Sequence, residues 1–431
     1  MIKRSFNGPR KSGPSRAPQS SGFGSGPRRS GGGFRGASNG GFRGGPSRGG
    51  FRGGSRGGGS RQKTEKINFS KFINKVQMTE EVAVFKPEHT FQDFKIVDAL
   101  KESIRVKGYL LPTPIQDRTI PQILMGNDIV GVANTGTGKT AAFLIPLINK
   151  VLLNRQEQVL IIVPTRELAI QIDDELKQFT KNMQIYSVCC VGGAPIYRQI
   201  SELRLQYNFI IGTPGRLKDL IDRKMIHLHE FKSIVLDEAD RMLDMGFVHD
   251  MRAIMKGMPK ERHTLFFSAT ISPDIERLIT EFLKNPLRIS VKTQDTAKNI
   301  EQDVIQIKKG ENKTDVLCGL LDNKELTKVL IFGRTKHGVE KLSQVLTKKG
   351  IKAESIHGDK THGKRQYALK LFKENYSRVL VATDVAARGL DISDISHVIN
   401  YDIPATNDDY VHRIGRTGRG AKKGKAITFV E

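Results

Sequence analysis

A glycine-rich run carries the first residues in the sequence that could do chemistry. Residues 133–140 read Ala-Asn-Thr-Gly-Thr-Gly-Lys-Thr, between an apolar run that predicts a buried strand and a run that predicts a helix. Glycines let backbone N–H groups approach phosphate oxygens, and the start of a helix adds positive potential. Lys139 is suited to reach the terminal phosphates, and the Thr140 hydroxyl to bind Mg²⁺. The alternative is a chance glycine turn, but the context predicts a nucleoside triphosphate site made by Thr135, Gly136, Thr137, Gly138, Lys139 and Thr140.

An acidic run, Asp-Glu-Ala-Asp at 237–240, ends a second apolar run. In a parallel sheet, ligand sites lie beyond the carboxyl ends of the strands. We expect Asp237 to hold Mg²⁺ and Glu238 to position or activate the attacking water, although an ordinary acidic loop is the alternative. Ser268 and Thr270 close the next predicted strand, and their hydroxyls could relay whether a γ-phosphate is present.

Two residues upstream of the glycine-rich run could select the base. Gln116 ends the run Pro-Thr-Pro-Ile-Gln at 112–116, and a glutamine amide can read N6 and N7 of adenine together. Phe91 could stack on the same base. A core position is the alternative for Phe91. Together they predict a site for adenine.

The second half of the sequence also has charged residues after apolar runs. Thr383 follows one such run, and residues 412–419 read His-Arg-Ile-Gly-Arg-Thr-Gly-Arg. Arginines at three-residue intervals beside glycines suit the stabilisation of charge on a transferring phosphoryl group. A solvated basic loop or an RNA-facing patch are the alternatives.

Short strands alternate with amphipathic helices from residue 91 onward. The first predicted strands lie at 129–133, 159–163, 185–191, 209–211, 233–236 and 264–267, with helices at 166–179 and 273–283. A second set of strands lies at 304–307, 329–332, 353–356, 378–382, 397–400 and 426–430. Such alternation is typical of parallel sheets wrapped by helices. We therefore predict an α/β fold with two domains, 91–292 and 301–431, and a linker at 293–300.

The start of the chain has a different composition. Residues 1–61 hold 20 of the 43 glycines and 13 lysines or arginines, with no acidic residue. They show no periodic apolar pattern, so we predict a disordered tail over 1–64, then a flanking segment over 65–90 with one short helix near 69–76. Phe-Arg-Gly recurs at 34, 42 and 51. Arginine can pair with phosphates and phenylalanine can stack on bases, so the tail predicts added RNA contacts; a solubilising tail is the alternative.

Overall charge and cysteine content narrow the class of protein. The formal net charge is +25, and the chain after residue 61 still has 57 basic against 45 acidic residues. Both parts therefore favour an anionic partner, either nucleic acid or an acidic membrane surface. No apolar run predicts a membrane span or a signal core. Three cysteines without metal-ligand spacing suit a reducing compartment, and we expect a cytoplasmic location.

The order of these motifs resembles that of the DEAD-box ATP-dependent RNA helicases, a branch of superfamily 2 with two RecA-like domains. The resemblance covers about residues 91–430. Besides the runs above, it rests on Pro-Thr-Arg-Glu-Leu-Ala at 164–169, Gly-Gly at 192–193, Thr-Pro-Gly-Arg at 213–216, Ile-Phe-Gly-Arg-Thr-Lys at 331–336, His-Gly-Asp at 357–359 and 383–391. Ala133, where other phosphate loops have glycine, is what the helicase form of the motif carries.

The resemblance implies a role for each matching position. ATP hydrolysis with Mg²⁺ would use Lys139, Thr140, Asp237 and Glu238, with Arg416 and Arg419 reaching the γ-phosphate from the second domain. Phe91 and Gln116 would select adenine, and Asp391 would contact the ribose. Coupling would involve Asp240, Ser268, Thr270 and His412. The RNA path, which follows the sugar–phosphate backbone with little sequence specificity, would be lined by Pro164, Thr165, Arg166, Gly193, Thr213, Arg216 and Thr383.

The resemblance has two departures. The family commonly has glutamine where His362 stands, so a contact at that position is in question. The sequence ends just after the last predicted strand, and we expect neither a closing helix nor a C-terminal specificity domain. The expected activity is ATP-dependent local unwinding of short RNA duplexes or remodelling of ribonucleoproteins. The alternatives are an RNA clamp or annealing chaperone whose ATP cycle sets its residence time, and a DNA-directed helicase of the same superfamily.

Overall fold

The structure is a computed structural model that describes residues 85–134, 136–291, 300–387, 392, 394–418 and 423–431. All of them belong to one unit, Glu65–Glu431. Several sequence predictions lie outside the described residues: the tail over 1–64, the helix near 69–76, most of the linker, and the site residues Thr135, Asp391 and Arg419.

A parallel sheet forms the centre of the first half. Its seven strands among the described residues are β1 Ile129–Val132, β2 Val159–Ile162, β3 Ser187–Cys190, β4 Phe209–Gly212, β5 Ser233–Leu236, β6 His263–Ser268 and β7 Leu287–Ser290. They lie in the order β3-β4-β2-β5-β6-β1-β7. Strands β1, β2, β4, β5 and β6 are buried along their whole length, which explains why their sequences are mostly apolar rather than alternating.

Helices cover both faces of this sheet. They are α1 Asp98–Val106, α2 Pro114–Leu124, α3 Lys139–Leu153, α4 Arg166–Phe179, α5 Ile196–Leu203, α6 Pro214–Asp222, α7 Ala239–Asp244, α8 Val248–Gly257 and α9 Pro273–Phe282. Two separate apolar clusters result, one containing Phe143 and Phe179 and the other Phe231 and Met251. Helix starts follow local chemistry, since the Thr165 hydroxyl accepts a hydrogen bond from Leu168 N at 3.3 Å.

The second half repeats the design with six parallel strands among the described residues. They are β8 Ile300–Gln306, β9 Val329–Phe332, β10 Ala353–Ile356, β11 Val379–Ala382, β12 His397–Asn400 and β13 Gly424–Val430, in the order β10-β11-β9-β12-β13-β8. The helices are α10 Lys313–Leu321, α11 Lys336–Lys348, α12 His362–Lys373, α13 Asp384–Ala387 and α14 Asn407–Ile414. This arrangement confirms the predicted α/β fold with two parallel sheets.

Two sequence predictions need correction. The first strand of the second sheet begins at Ile300, not at 304, because its first residues pair with Gly424 and Lys425 of β13. Strand β7 was not predicted at all. It lies at the edge of the first sheet and is mostly exposed, so its sequence lacks the apolar run of a central strand.

The strand order divides the carboxyl edge of the first sheet into two parts. Strands β1, β5 and β6 are neighbours, and they end at the glycine-rich run, at Asp237 and at Ser268. Strands β2, β4 and β3 are also neighbours, and they end at Pro164, at Thr213 and before Gly192. The two predicted groups of site residues therefore occupy adjoining halves of one edge. No helix among the described residues is long and apolar enough to span a membrane.

Candidate active site

The glycine-rich run forms a tight loop between β1 and α3. Gly136 and Gly138 have φ values of 81° and 92°, a left-handed conformation that glycine adopts without strain. The Thr137 hydroxyl donates to Asn134 O at 2.8 Å, and Lys139 Nζ donates to Ala133 O at 2.8 Å. The lysine side chain thus folds back across the loop, and its ammonium group is bonded to the backbone at the start of that loop. Thr140 follows in the first turn of α3 and is half-buried.

Gln116 joins α2 to this loop. Its Nε2 donates to Gly138 O at 3.0 Å, and its Oε1 accepts from Thr113 N at 3.0 Å. A Cβ on residue 138 would lie 2.5 Å from Gln116 Nε2, so the close approach requires glycine there. Gln116 is 1% exposed, and both ends of its amide are bonded to the protein in this conformation. To read a base, the amide must exchange these bonds.

Phe91 occupies the core position that the sequence left as its alternative. It is 3% exposed and packs edge-to-face against Phe94 and Tyr109. The ring has no face free for stacking on a base in this conformation.

Asp237 and Glu238 follow β5 and are buried. Asp237 Oδ1 accepts from Glu238 N at 2.9 Å, and Glu238 has φ 53°. Burial raises the pKa of Asp237 to about 6; Lys139 opposes this shift and Glu238 adds to it. Because the charge of Lys139 acts on the pKa of Asp237, the acidic run and the glycine-rich loop lie close together. This agrees with their predicted positions at nearby strand ends.

Asp240 ties the acidic run to the end of β6. Its Oδ2 accepts hydrogen bonds from Ala269 N at 3.0 Å, Thr270 N at 2.9 Å and Thr270 Oγ1 at 3.1 Å. The Ser268 hydroxyl instead donates to Thr270 O at 2.8 Å. Burial works against the charged form of Asp240, but Lys139 and Arg241 outweigh it, and the pKa is lowered. Asp240 therefore stays a carboxylate and holds the Ser-Ala-Thr turn in place.

Arg241 was not singled out in the sequence, although it follows the acidic run directly. The side chain is 1% exposed, and its Nε lies 3.6 Å from Glu238 Oε2. Within the described part of the chain, Glu238 Oε2 and both terminal nitrogens of Arg241 lack a hydrogen-bond partner. A buried carboxylate and a buried guanidinium with unused bonding capacity mark a place where further polar groups can be received.

His412 of α14 lies beside these groups, so the second half of the chain contributes to the same cluster. Burial and then the charge of Arg241 lower the pKa of His412 to about 4, while Asp240 opposes the shift. The imidazole is therefore neutral at pH 7. Arg416 is buried near it, whereas Arg419 lies outside the described residues.

Arg413, another member of the basic run, has a structural position. Its guanidinium donates to both carboxylate oxygens of Asp384, at 2.5 and 2.7 Å, and to Asp402 O at 2.6 Å. Phe332 packs against it. This paired arginine fixes the start of α13, directly after Thr383, and leaves Arg416 as the described arginine of the run that faces the cluster.

The other half of the edge holds the residues predicted to line an RNA path. A Cβ on residue 193 would lie 2.1 Å from Arg166 Nη1, so Arg166 lies directly over Gly193. Arg216 Nη1 donates to Gln199 Oε1 at 2.8 Å, and Gln199 Nε2 donates to Val191 O at 3.0 Å. Gln199 was missed in the sequence because a lone glutamine gives no signal. Pro164, Thr165 and Thr213 are buried or half-buried at the adjoining strand ends.

Helix α12 of the second half contacts this region. Arg365 Nη2 lies 2.7 Å from Glu167 Oε2, one residue after Arg166. Glu167 is 2% exposed, and Arg365 is buried as well. The two halves therefore meet through a buried ion pair next to the predicted RNA contacts. The charges of Glu167 and Arg166 also act on His362, which lies in the first turn of α12.

Comparison with known proteins gives a family for this arrangement. The DEAD/DEAH box helicase family matches residues 113–278, and the helicase conserved C-terminal domain matches residues 312–421. A DEAD-box ATP-dependent RNA helicase, CshA of Bacillus subtilis, is 46% identical over 343 residues, which is 79% of this chain and 69% of that protein. This chain belongs to the DEAD-box helicase family. CshA of Bacillus cereus is 47% identical, and the match covers 79% of this chain but 65% of that protein.

Solved DEAD-box structures share the fold. Dbp5 of S. cerevisiae, in a structure with RNA and ADP BeF3, superposes with a TM-score of 0.72 at 32% identity, over 79% of this chain and 89% of that one. The two parallel-sheet units described above are thus the RecA-like domains of a DEAD-box protein. The Asp-Glu-Ala-Asp run at 237–240 is the signature for which the family is named.

Proposed function

We propose that this protein is an ATP-dependent RNA helicase, which hydrolyses ATP when RNA is bound and locally unwinds short RNA duplexes or remodels ribonucleoproteins. The observation that carries the proposal is the bonding of Asp240 to Thr270 beside Lys139, with His412 of the second domain against the same cluster. A nucleotide at this cluster would meet groups from both domains. Whether the nucleotide is bound or hydrolysed would therefore affect how the two domains contact each other.

ATP would be bound by the loop residues Thr135, Gly136, Thr137, Gly138, Lys139 and Thr140. Gln116 would recognise adenine, and Asp391 is a further proposed contact to the ribose. Phe91 could reach the base only if its ring left the packing against Phe94 and Tyr109. The chemistry of the residues fits the ligand, because the loop glycines have left-handed φ values and Lys139 spans the loop. Glu238 is proposed to orient the attacking water, since its buried Oε2 lacks a hydrogen-bond partner among the described residues. Arg416 and Arg419 are proposed to stabilise charge on the phosphoryl group.

Mg²⁺ is the proposed cofactor, held by the Thr140 hydroxyl and the Asp237 carboxylate. The structure has no cluster of three or more metal-ligating side chains in its described residues. That is compatible with magnesium, which usually takes one or two protein ligands and completes its shell with phosphate and water. When bound, the ion would neutralise negative charge on the phosphate oxygens. The charge of Lys139 opposes the rise that burial causes in the pKa of Asp237, so the carboxylate can be charged at neutral pH.

RNA is the proposed partner, along the edge formed by Pro164, Thr165, Arg166, Gly193, Thr213, Arg216 and Thr383. Several of these offer backbone or hydroxyl groups at strand ends, and Arg166 and Arg216 add charge. The Dbp5 structure with RNA supports this assignment by analogy. The Gly/Arg-rich tail is proposed to add non-specific phosphate contacts. The free thiols of Cys189, Cys190 and Cys318 favour the cytoplasm.

The ATPase rate with and without RNA tests this proposal. Wild-type protein should hydrolyse ATP faster when RNA is present, and an ATPase that ignores RNA would contradict it. The alternative, an RNA clamp or annealing chaperone, is favoured by the composition of the first 61 residues, with 13 basic and no acidic side chains. Deletion of residues 1–64 separates the two activities: an annealing chaperone loses strand annealing, whereas the helicase retains ATP-dependent unwinding.

A further inference from the structure

Helix α12 presents a second surface, which lies away from its ion pair with α4 at Lys364 and Tyr367 and borders the pocket between α12 and α4 at Lys370. Residues 360–376 contain five lysines or arginines and a single acidic residue, Glu374. Arg365 is buried against Glu167, but Lys364, Tyr367 and Lys370 are exposed. These three residues, spaced three apart, share one side of the helix and extend about 9 Å along its axis. We call them the α12 outer face.

The groups on this face have few partners of their own. Tyr367 is 62% exposed, and neither it nor Lys364 has a hydrogen bond, ion pair or ring contact among the described residues. Lys370 has only a 4.0 Å contact with Glu374, and both of these side chains are well exposed. Lys373 is not part of the face, because its charge acts on Asp174 of α4. The α12 outer face therefore consists of Tyr367, whose ring and hydroxyl have no ring contact or hydrogen bond among the described residues, with one lysine on each side of it.

This chemistry suits RNA better than a protein partner. Protein interfaces are depleted in lysine at their centres, and Tyr367 is the only large apolar side chain exposed on this turn of α12. Single-stranded nucleic acid, in contrast, is held by aromatic rings that stack on bases and by cations that pair with phosphates. A tyrosine with a lysine on each side supplies both contacts at a spacing set by the helix.

The position of the face gives RNA a route to it. The first turn of α12 meets Glu167, directly after Thr165 and Arg166 of the proposed RNA path. A strand that leaves the path along α12 would encounter Lys364 first, and then Tyr367 and Lys370. The face is thus continuous with the proposed path but separate from the residues that define it.

We propose that the α12 outer face is an accessory site for single-stranded RNA that extends beyond the helicase path. Tyr367 stacks on a base, while Lys364 and Lys370 pair with phosphates. The inference rests on the proposed RNA-dependent ATPase, since RNA must occupy the path before its flank can reach α12. The face adds affinity for longer RNA and has no part in hydrolysis.

The test measures the RNA concentration for half-maximal ATPase rate across a series of single-stranded RNA lengths, with the full-length chain. For Tyr367→Ala, we expect this concentration to rise about five- to tenfold for long RNA, the lower end for the loss of one stacked base. The shortest stimulating RNA should give wild-type values, and Tyr367→Phe should behave as wild type. Because Tyr367 is exposed, truncation leaves the core intact.

Controls come from exposed residues at the opposite, amino ends of strands. Tyr186 is 50% exposed just before β3, and Lys324 is exposed shortly before β9. Tyr186→Ala and Lys324→Gln should leave the RNA concentration for half-maximal ATPase unchanged. A Lys364→Gln/Lys370→Gln double variant should lower the salt slope for long RNA by about 1.4, or about 0.7 for each phosphate that a lysine no longer neutralises.

Two results would overturn the inference. One is equal affinity of Tyr367→Ala and wild type for RNA of every length, which would leave the helicase proposal intact. The other is an equal loss at every length, which would mean that Tyr367 acts on the main path. Failure of the proposed function looks different, because wild-type ATPase would then ignore RNA altogether.

Discussion

Thr270 donates two hydrogen bonds to Asp240, from its backbone N at 2.9 Å and from its hydroxyl at 3.1 Å. The carboxylate ends the Asp-Glu-Ala-Asp run after β5, and the threonine ends the Ser-Ala-Thr turn after β6. A change in the position of one segment must therefore move or break bonds to the other. Asp240 also lies beside Lys139 and His412, so the same carboxylate interacts with charges on the glycine-rich loop and on the second domain.

Removal of the Thr270 hydroxyl should weaken this link without abolishing it. Thr270→Val keeps the backbone donor and the bond from Ala269, so we expect a loss of about 1.5 kcal/mol, the lower end for a hydrogen bond to a charged group. Unwinding should fall more than ATP hydrolysis, because the hydroxyl joins two protein segments and not the nucleotide. Thermal unfolding and paired unwinding and ATPase assays measure this. Thr280→Val, which loses a 3.0 Å bond to Glu276 O on the surface of α9, is the control; equal losses in both assays would contradict the link.

Arg241 should position Glu238. The guanidinium is 1% exposed and forms an ion pair with Glu238 at 3.6 Å. Arg241→Met leaves that carboxylate buried and unpaired, which should cost about 3–5 kcal/mol of unfolding free energy, whereas the same change in a Glu238→Gln background should cost much less. Chemical denaturation of the four proteins measures the coupling.

ATPase kinetics give a second readout for Arg241. Arg241→Lys retains a charge beside Glu238 and should keep more of kcat than Arg241→Met, with little change in KM for ATP. If both substitutions leave kcat unchanged, Arg241 does not position the proposed catalytic carboxylate.

Charge reversal should reveal the contact between the domains. Arg365 and Glu167 form a buried pair at 2.7 Å, so Arg365→Glu alone places two carboxylates together and should raise the RNA concentration for half-maximal ATPase at least about tenfold. The exchange Glu167→Arg/Arg365→Glu should recover part of the loss. A double variant no better than the worse single variant would mean that this pair does not hold the domains together during the cycle.

His412 should make stability depend on pH in the acid range. Its pKa is lowered to about 4 in the folded protein from an ordinary value of 6.5, so the unfolded chain binds more protons between these values. The stability that depends on neutral His412 is therefore present above pH 6.5 and is lost as the pH falls towards 4. Protonation would place a cation beside Arg241 and Arg416, opposed by Asp240 and Glu238. The thermal midpoint of wild type should drop more steeply over this interval than that of His412→Gln; parallel curves would contradict the assignment.

Much of the fold could be predicted because its central strands are buried on both faces. Runs such as 159–163 and 329–332 are apolar at every position, and the structure has strands there. Strand β7 could not be found in this way, since an edge strand is exposed and needs no such run. The start of β8 at Ile300 was missed for a similar reason, because its alternating, partly exposed residues resemble a linker.

The candidate site was predictable where a motif fixes a backbone shape. Glycines at 136 and 138 and acids at 237, 238 and 240 have the positions that their spacing predicts. Contacts made across the chain were not predictable: Gln199 to Arg216, Arg413 to Asp384 and Arg365 to Glu167 join residues distant in sequence. Phe91 illustrates the same limit, because an aromatic residue looks alike in a core and at a binding site, and only packing against Phe94 and Tyr109 distinguishes the two.

In the proposed mechanism, Glu238 orients the attacking water for RNA-dependent hydrolysis of ATP. The most direct measurement is the steady-state ATPase rate with and without single-stranded RNA, for wild type, Glu238→Gln and the surface control Glu261→Gln. We predict that RNA raises the rate of wild type and of Glu261→Gln alike, and that Glu238→Gln loses about 10²–10⁴-fold in kcat while it still binds ATP. An equal wild-type rate with and without RNA, or a Glu238→Gln enzyme that turns over as wild type does, would contradict the claim.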